Sequence, residues 1–362
     1  MKRVILVLLT YLGTINSNAQ KSENVIIITT DGYRNFEVFN GMDIEIAKNK
    51  KFNQNDSTYI FNKYWDDDTT KRREKLMPNF WSIFGKQGQI FGNINYGNKV
   101  NNANPYWISF PGYSEIATGF VDLKIDSNQY PNNPNLNILQ YLNSKDKFKG
   151  KVSVFSAWEA FDRILNEEAC GFPIISAFDH VGGDNPTNNQ KLINEMLSDS
   201  HIDYLKPWYK MSPDVFAFSE AMEELKVNKP NVLWISFLET DTWAHRGQYA
   251  FYLNAAHQVD IYIKKVWDFI QNDPKYKDKT TLFITTDHGR GNIIKEEWTS
   301  HGKNIQDASQ IWFAAVGPQI KPLGEIKKEN QIYIEQFAQT VANQLGEIFK
   351  STHPVAKKID FE

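Results

Sequence analysis

Apolar residues in this chain fall into short, nearly unbroken runs separated by longer stretches of helical spacing. The runs cover residues 25–28, 152–155, 232–237, 282–285 and 311–316, and they are rich in Val, Ile and Phe. A strand that is apolar at successive rather than alternate positions is buried on both faces, as strands of parallel sheets are. Between the runs, apolar residues recur three or four apart over 72–86, 135–142, 216–225, 250–270 and 334–349, which predicts helices. Strand–helix alternation of this kind predicts an α/β fold, a doubly wound and mostly parallel sheet flanked by helices. Residues 92–104 are rich in Asn and Gly, and residues 126–135 in Asn and Pro, so both read as loops. No composition shift marks a linker. Residues 20–362 are expected to form one domain, with room for a small cap insertion within 122–231.

The first residues read as a processing segment. Met1-Lys2-Arg3 is basic, residues 4–12 are apolar, and small residues stand at Ser17 and Ala19. This is the pattern of a secretory leader over 1–19 with cleavage after Ala19. The apolar run is well short of the ~20 residues of a spanning helix, and no Cys follows it to take a lipid. The expectation is an exported, soluble protein of the bacterial periplasm with no stable membrane anchor. Cys170 is the single cysteine, so no intramolecular disulfide can form. Its apolar surroundings predict a small buried side chain. The net charge of −3 gives no electrostatic footing for a nucleic-acid polymer as partner.

Four motifs add chemistry to this frame. They are Thr30-Asp31-Gly32, Asp241 with His245, Asp287-His288-Gly289 and His301-Gly302. Asp31, Asp241 and Asp287 each follow a predicted strand closely, where ligands gather in open α/β sheets. Asp241 and His245, four residues apart, come to one helical face. Taken singly, these residues also read as turn or surface groups. Together they offer three carboxylates and three imidazoles, a donor set suited to two divalent metal ions, Zn²⁺ first and Mn²⁺ second. His180, His201, His257 and His353 lie outside these motifs; His257 falls inside the long predicted helix and reads as structural.

A further segment, Ser109-Phe110-Pro111-Gly112 running to Thr118-Gly119, reads as a helix opening on a hydroxyl. Pro111 is tolerated near a helix start, and a helix N-terminus suits a phosphate. Ser109 is the candidate nucleophile, an N-cap serine being the bland alternative. Ser114 is the runner-up, more than a turn into the helix.

With these residues in place, the chain resembles the alkaline phosphatase superfamily over residues 24–320, most closely its nucleotide pyrophosphatase/phosphodiesterase-like members. The resemblance implies that Asp241, His245 and His301 hold one metal, and that Asp31, Asp287, His288 and the Ser109 oxygen hold the other. It further implies phosphoester hydrolysis through a phosphoseryl intermediate on Ser109, acting on a small-molecule phosphoester. Gly112 stands where the resemblance expects Asn, which removes a phosphate donor. Tyr113 stands where sulfatases carry Arg, which argues against a sulfatase. No cationic clamp for a monoester is evident, so diesters are favoured. The alternatives are a phosphomonoesterase, a phosphotransferase or mutase of the same superfamily, and a non-catalytic exported metal-binding protein. Arg34, Tyr106 and Trp107 are candidate substrate-binding residues; the competing readings are a surface Arg starting a helix with Glu37, and buried packing of the two aromatic rings.

Overall fold

The computed structural model describes residues 21–53, 56–203 and 210–362; the leader expected over 1–19 lies outside them. The strands are β1 (Asn24–Thr30), β2 (Gln89–Phe91), β3 (Asn98–Asn101), β4 (Val152–Ser156), β5 (Ile174–Ser176), β6 (Val232–Phe237), β7 (Thr280–Thr286), β8 (Gln310–Ile311), β9 (Phe313–Val316), β10 (Gly324–Glu325) and β11 (Asn330–Tyr333). Eight of them form one sheet in the order β10-β2-β9-β7-β1-β6-β4-β5. Only β9 runs against its neighbours in that sheet. A small second sheet has the order β11-β3-β8.

The unbroken apolar runs are explained by burial on both faces. In β1, Ile26 and Ile28 point into one apolar layer and Val25 and Ile27 into another. In β6, Leu233 and Ile235 join the first layer, Val232 and Trp234 the second. The helix Tyr249–Asn272 packs in the first layer through Leu253, Ile263 and Val266. The helices Ser109–Thr118 and Gln336–Gln344 pack in the second through Ile116 and Phe337. β1 lies between β6 and β7, parallel to both, with Ile28 level with Ile235 and Ile284. The carboxyl ends of these three strands therefore open at one edge. Among the described residues, no helix is long and apolar enough to cross a membrane.

Several expectations are corrected in detail. The run 311–316 is two strands, because the chain changes sheets at Trp312. β8 pairs with β3, while β9 pairs with β7 and β2. The Trp312 indole N–H donates to the Tyr33 carbonyl at 3.0 Å and anchors the crossing. The helix expected over 72–86 is two, Thr69–Leu76 and Pro78–Gln87, separated at Met77. Proline disfavours helical geometry at the residue before it, and Met77 takes φ −131°, ψ 65°. The stretch 92–104 is not all loop, since it carries β3, whose pairing with β11 and β8 comes from distant residues. Within 122–231, β4 is the strand expected at 152–155, and β5 extends the main sheet beside it.

Candidate active site

Asp31 follows β1 directly, Asp287 follows β7 directly, and Asp241 lies in the helix Glu239–His245 just beyond β6. Three adjacent strands thus deliver three carboxylates to one place. Gly32 permits this convergence. It has φ +55°, and a Cβ there would lie 2.9 Å from Asp241 Oδ1 and 3.0 Å from Arg290 Nε. Its own N–H donates to Asp287 Oδ1 at 3.0 Å and fixes that carboxylate.

The inner cluster is almost fully buried. His288 Nε2 lies 3.4 Å from Asp31 Oδ1 and 3.5 Å from Asp287 Oδ2. Ser109 opens its helix beside them, with Oγ 3.4 Å from Asp31 Oδ1 and 3.3 Å from His288 Nε2. The outer cluster is more open. His245 Nε2 is 2.9 Å from His301 Nε2 and 3.4 Å from Asp241 Oδ1, and His301 Nε2 is 3.7 Å from Asp241 Oδ1. His245 is about half exposed at 47%, against 0% for His288. The clusters adjoin at His288, whose Nε2 is 3.9 Å from Asp241 Oδ1.

These spacings fit divalent metal ions. A tetrahedral ion with bonds of about 2.0–2.1 Å holds its ligand atoms about 3.3 Å apart, which is close to the edges just given. Two carboxylate oxygens, Asp31 Oδ2 and Asp287 Oδ2, are buried with no hydrogen-bond partner. Buried anionic oxygens of this kind call for a cation. Two of the three imidazoles are also held in direction by their Nδ1 bonds. His288 donates from Nδ1 to the Gly289 carbonyl at 2.9 Å, and His301 from Nδ1 to the Trp107 carbonyl at 3.1 Å. A carbonyl can only accept, so each Nε2 is left unprotonated and turned toward the carboxylates, as a metal-binding histidine requires.

Electrostatics agree. Burial, then the charge of Asp241, pushes the Asp31 carboxyl well above the usual range. Burial, then Asp31, does the same to Asp287. Burial opposes ionisation of Asp241 too, but Arg290, His245 and His301 outweigh it and hold that carboxyl well below the usual range. Burial, with His288 beside it, lowers His301 well below the ordinary imidazole value.

Two residues join the site that the sequence reading had not assigned. Arg290 is buried, donates from Nε to the Gly32 carbonyl at 3.1 Å and is paired with Asp241 through its guanidinium. Its signal was its place directly after Asp287-His288-Gly289. Asn128 accepts the Phe110 N–H at 2.9 Å, which puts a side-chain amide against the residue that follows Ser109. It sits in the Asn- and Pro-rich loop, and nothing in that composition marks it out.

The remaining candidates divide. Arg34 is not at the site. It is buried against Glu37 and Asp43 and donates to the Gly291 carbonyl at 3.0 Å. Tyr106 is half-buried and its hydroxyl donates to the Leu123 carbonyl. Trp107 is half-buried and reaches the site through its backbone carbonyl on His301. Ser114 faces away and accepts from Asn133 at 2.9 Å. His180 bonds Ser198, His257 bonds the Leu76 carbonyl, and His353 bonds the Leu136 carbonyl. His201 stacks on Phe178. Cys170 is buried, and burial pushes its thiol up to about 11.

Residues 208–347, the span that holds Asp241, His245, Asp287, His288 and His301, match the family model of the Metalloenzyme superfamily. No curated protein sequence matches the chain. Solved structures share its fold. A variant of the alkaline phosphatase PafA is 10% identical with a TM-score of 0.56, over 94% of this chain and 98% of that one. The phosphonate monoester hydrolase of Agrobacterium radiobacter is 12% identical with a TM-score of 0.55, over 89% and 73%. A 2-O GAG sulfatase is 13% identical with a TM-score of 0.55, over 93% and 73%. At these identities the likeness is one of fold. The chain thus has the fold of these alkaline phosphatase-like hydrolases, and its ligand-bearing span is similar to the Metalloenzyme superfamily.

Proposed function

We propose that the protein is an exported phosphoester hydrolase of phosphodiesterase type, working with two divalent ions, Zn²⁺ by preference. The observation that carries this reading is the position of Ser109 Oγ, 3.3 Å from His288 Nε2 and 3.4 Å from Asp31 Oδ1 at the first residue of a helix. A metal store has no use for a hydroxyl held there.

Asp31, Asp287 and His288 would hold the inner ion, and Asp241, His245 and His301 the outer one. Bound in this way, the ions supply Lewis acidity and lower the pKa of a coordinated hydroxyl. Ser109 Oγ attacks phosphorus in line as its proton passes to solvent water, the bond to the leaving oxygen breaks, that oxygen takes a proton from solvent, and a phosphoseryl group forms. Water then cleaves that group and returns the proton to Ser109. Asn128, fixed on the Phe110 N–H, offers its amide to a phosphoryl oxygen.

The commitments of nearby cations favour diesters. Arg34 is engaged by Glu37 and Asp43 and Arg290 by Asp241, while Arg163 donates to the Tyr130 and Asn128 carbonyls. Arg34 and Arg290 are thus already in ion pairs and Arg163 is engaged by backbone carbonyls, whereas a dianionic monoester needs additional positive charge. A sulfatase reading is disfavoured at Tyr113, which is buried on Phe161 with its hydroxyl at Ser236. Turnover of matched aryl phosphate diesters, monoesters and sulfates by Zn²⁺-loaded protein tests the reading. The diester is expected to be fastest. A monoester faster by orders of magnitude would overturn the diesterase assignment.

A further inference from the structure

Glu115 lies two turns along the nucleophile helix, is 1% exposed, and takes no part in the chemistry above. Burial dominates its surroundings, yet its carboxylate meets only donors. Oε1 accepts from the Ala103 N–H at 2.8 Å and the Glu335 N–H at 3.2 Å. Oε2 accepts from the Asn104 N–H at 3.1 Å and from Asn104 Nδ2 at 2.7 Å. The Asn104 amide is thereby fixed, with its Oδ1 turned to the following turn. That oxygen accepts the Tyr106 N–H at 3.0 Å and the Trp107 N–H at 3.1 Å.

The turn held in this way is an unusual one. Trp107 has φ +49°, a conformation that is unfavourable for a bulky residue and persists only where its surroundings enforce it. Its result is the placement of the Trp107 carbonyl on His301 Nδ1 at 3.1 Å. The path from Glu115 through Asn104 and Trp107 to His301 is continuous, and each link is a hydrogen bond.

We infer that Glu115 is a positioning residue for His301: through Asn104 it holds Trp107 in its left-handed turn, and the Trp107 carbonyl fixes the tautomer and direction of the His301 ring. This rests on the reading of His301 as a ligand of the outer ion. Partners that orient a metal-binding histidine typically change metal affinity 10–100-fold. The inner cluster has no share in this path, so the effect falls on one ion of the two.

The test is Zn²⁺ content and affinity of the full mature chain, measured by metal analysis after dialysis against graded chelator, alongside thermal melting of the metal-free protein. Asn104→Ala removes the acceptor for the Trp107 N–H but leaves Glu115 its backbone partners. Glu115→Gln sets an NH₂ against two N–H donors. Both are expected to weaken the outer ion at least about 10-fold, with the inner ion retained. His301→Ala must lose the same ion. Equal weakening of both ions in step with a lower melting temperature would make the path merely structural and overturn the inference. Wild-type affinity in both variants would overturn it as well. A His301→Ala variant that keeps two ions would instead sink the ligand reading on which the inference stands.

Discussion

Gly112 of the nucleophile helix packs on the backbone of Asp287: a Cβ at Gly112 would lie 2.3 Å from the Asp287 carbonyl oxygen. The helix that carries Ser109 and the strand end that carries Asp287 touch with no room for a side chain. This gives a physical reason for glycine where related motifs carry Asn. Gly112→Ala is expected to push the helix away from β7 and cost ~1–3 kcal/mol through overpacking. Activity should fall at least about tenfold, since a small misplacement of the hydroxyl costs this much or more. Thermal melting and turnover of the variant check both effects.

Ser109→Ala is expected to lower turnover by several orders of magnitude while two ions stay bound. Asp31, Asp287 and His288 define the inner cluster without it, so the loss is of the covalent step. Ser114→Ala should be mild in rate, because that hydroxyl meets Asn133 and not the cluster. A dead Ser114→Ala beside an active Ser109→Ala would require the nucleophile to be reassigned.

Asp287→Ala and His288→Ala should abolish activity and reduce bound metal, whereas His180→Ala and His257→Ala should leave metal content unchanged. The contrast follows from placement. His180 bonds Ser198 at the surface and His257 bonds a helix-end carbonyl. Metal analysis of the four purified variants decides the matter, and metal loss in His180→Ala would count against the chosen Asp-His pair.

Exhaustive chelation is expected to abolish activity and to lower the melting temperature, with Zn²⁺ restoring both. Asp31 and Asp287 are crowded and buried beside the Asp241 charge, so the ion-free site carries uncompensated electrostatic cost. Full activity in protein shown to be metal-free would remove the central claim.

Glu220 gives a pH prediction away from the metals. Burial, then the charge of Asp179, pushes its carboxyl up to about 9, and Oε1 has no partner. The folded chain thus holds a proton that the unfolded chain releases near the ordinary value. The associated stability is fully present below pH 4.5 and is lost as pH rises toward 9. Glu220→Gln should flatten that slope and gain on the order of 1–3 kcal/mol over wild type at pH 9. Denaturant midpoints of both proteins at pH 5, 7 and 9 provide the measurement.

The central strands, and the gathering of the candidate ligands beyond their ends, were legible in the sequence because each depends on local pattern. A run such as 232–237 must be buried on both faces, and the short motifs after the strands carry the metal-type ligands within a few residues. What was hidden depends on contacts between distant segments. β3 is polar and Asn-rich and exists because β8 and β11 flank it. Asn128 looks like any loop Asn until the Phe110 N–H is seen to need it. Arg34, close in sequence to Asp31, was drawn away by Glu37 three residues on, a pair visible in the sequence but weighed there as a surface feature.

The order β7-β1-β6 at the centre of the sheet makes the candidate metal site a product of the nearly complete chain. β1 is the first strand, yet its two partners lie far downstream, and Gly32 reaches Asp287 across 255 residues. A truncated chain ending before β7 holds Asp31 and Asp241 but no Asp287 or His288, and so cannot form the inner cluster. An ion held by this cluster would bind only when all three strands are in register, and would then stabilise that state by mass action.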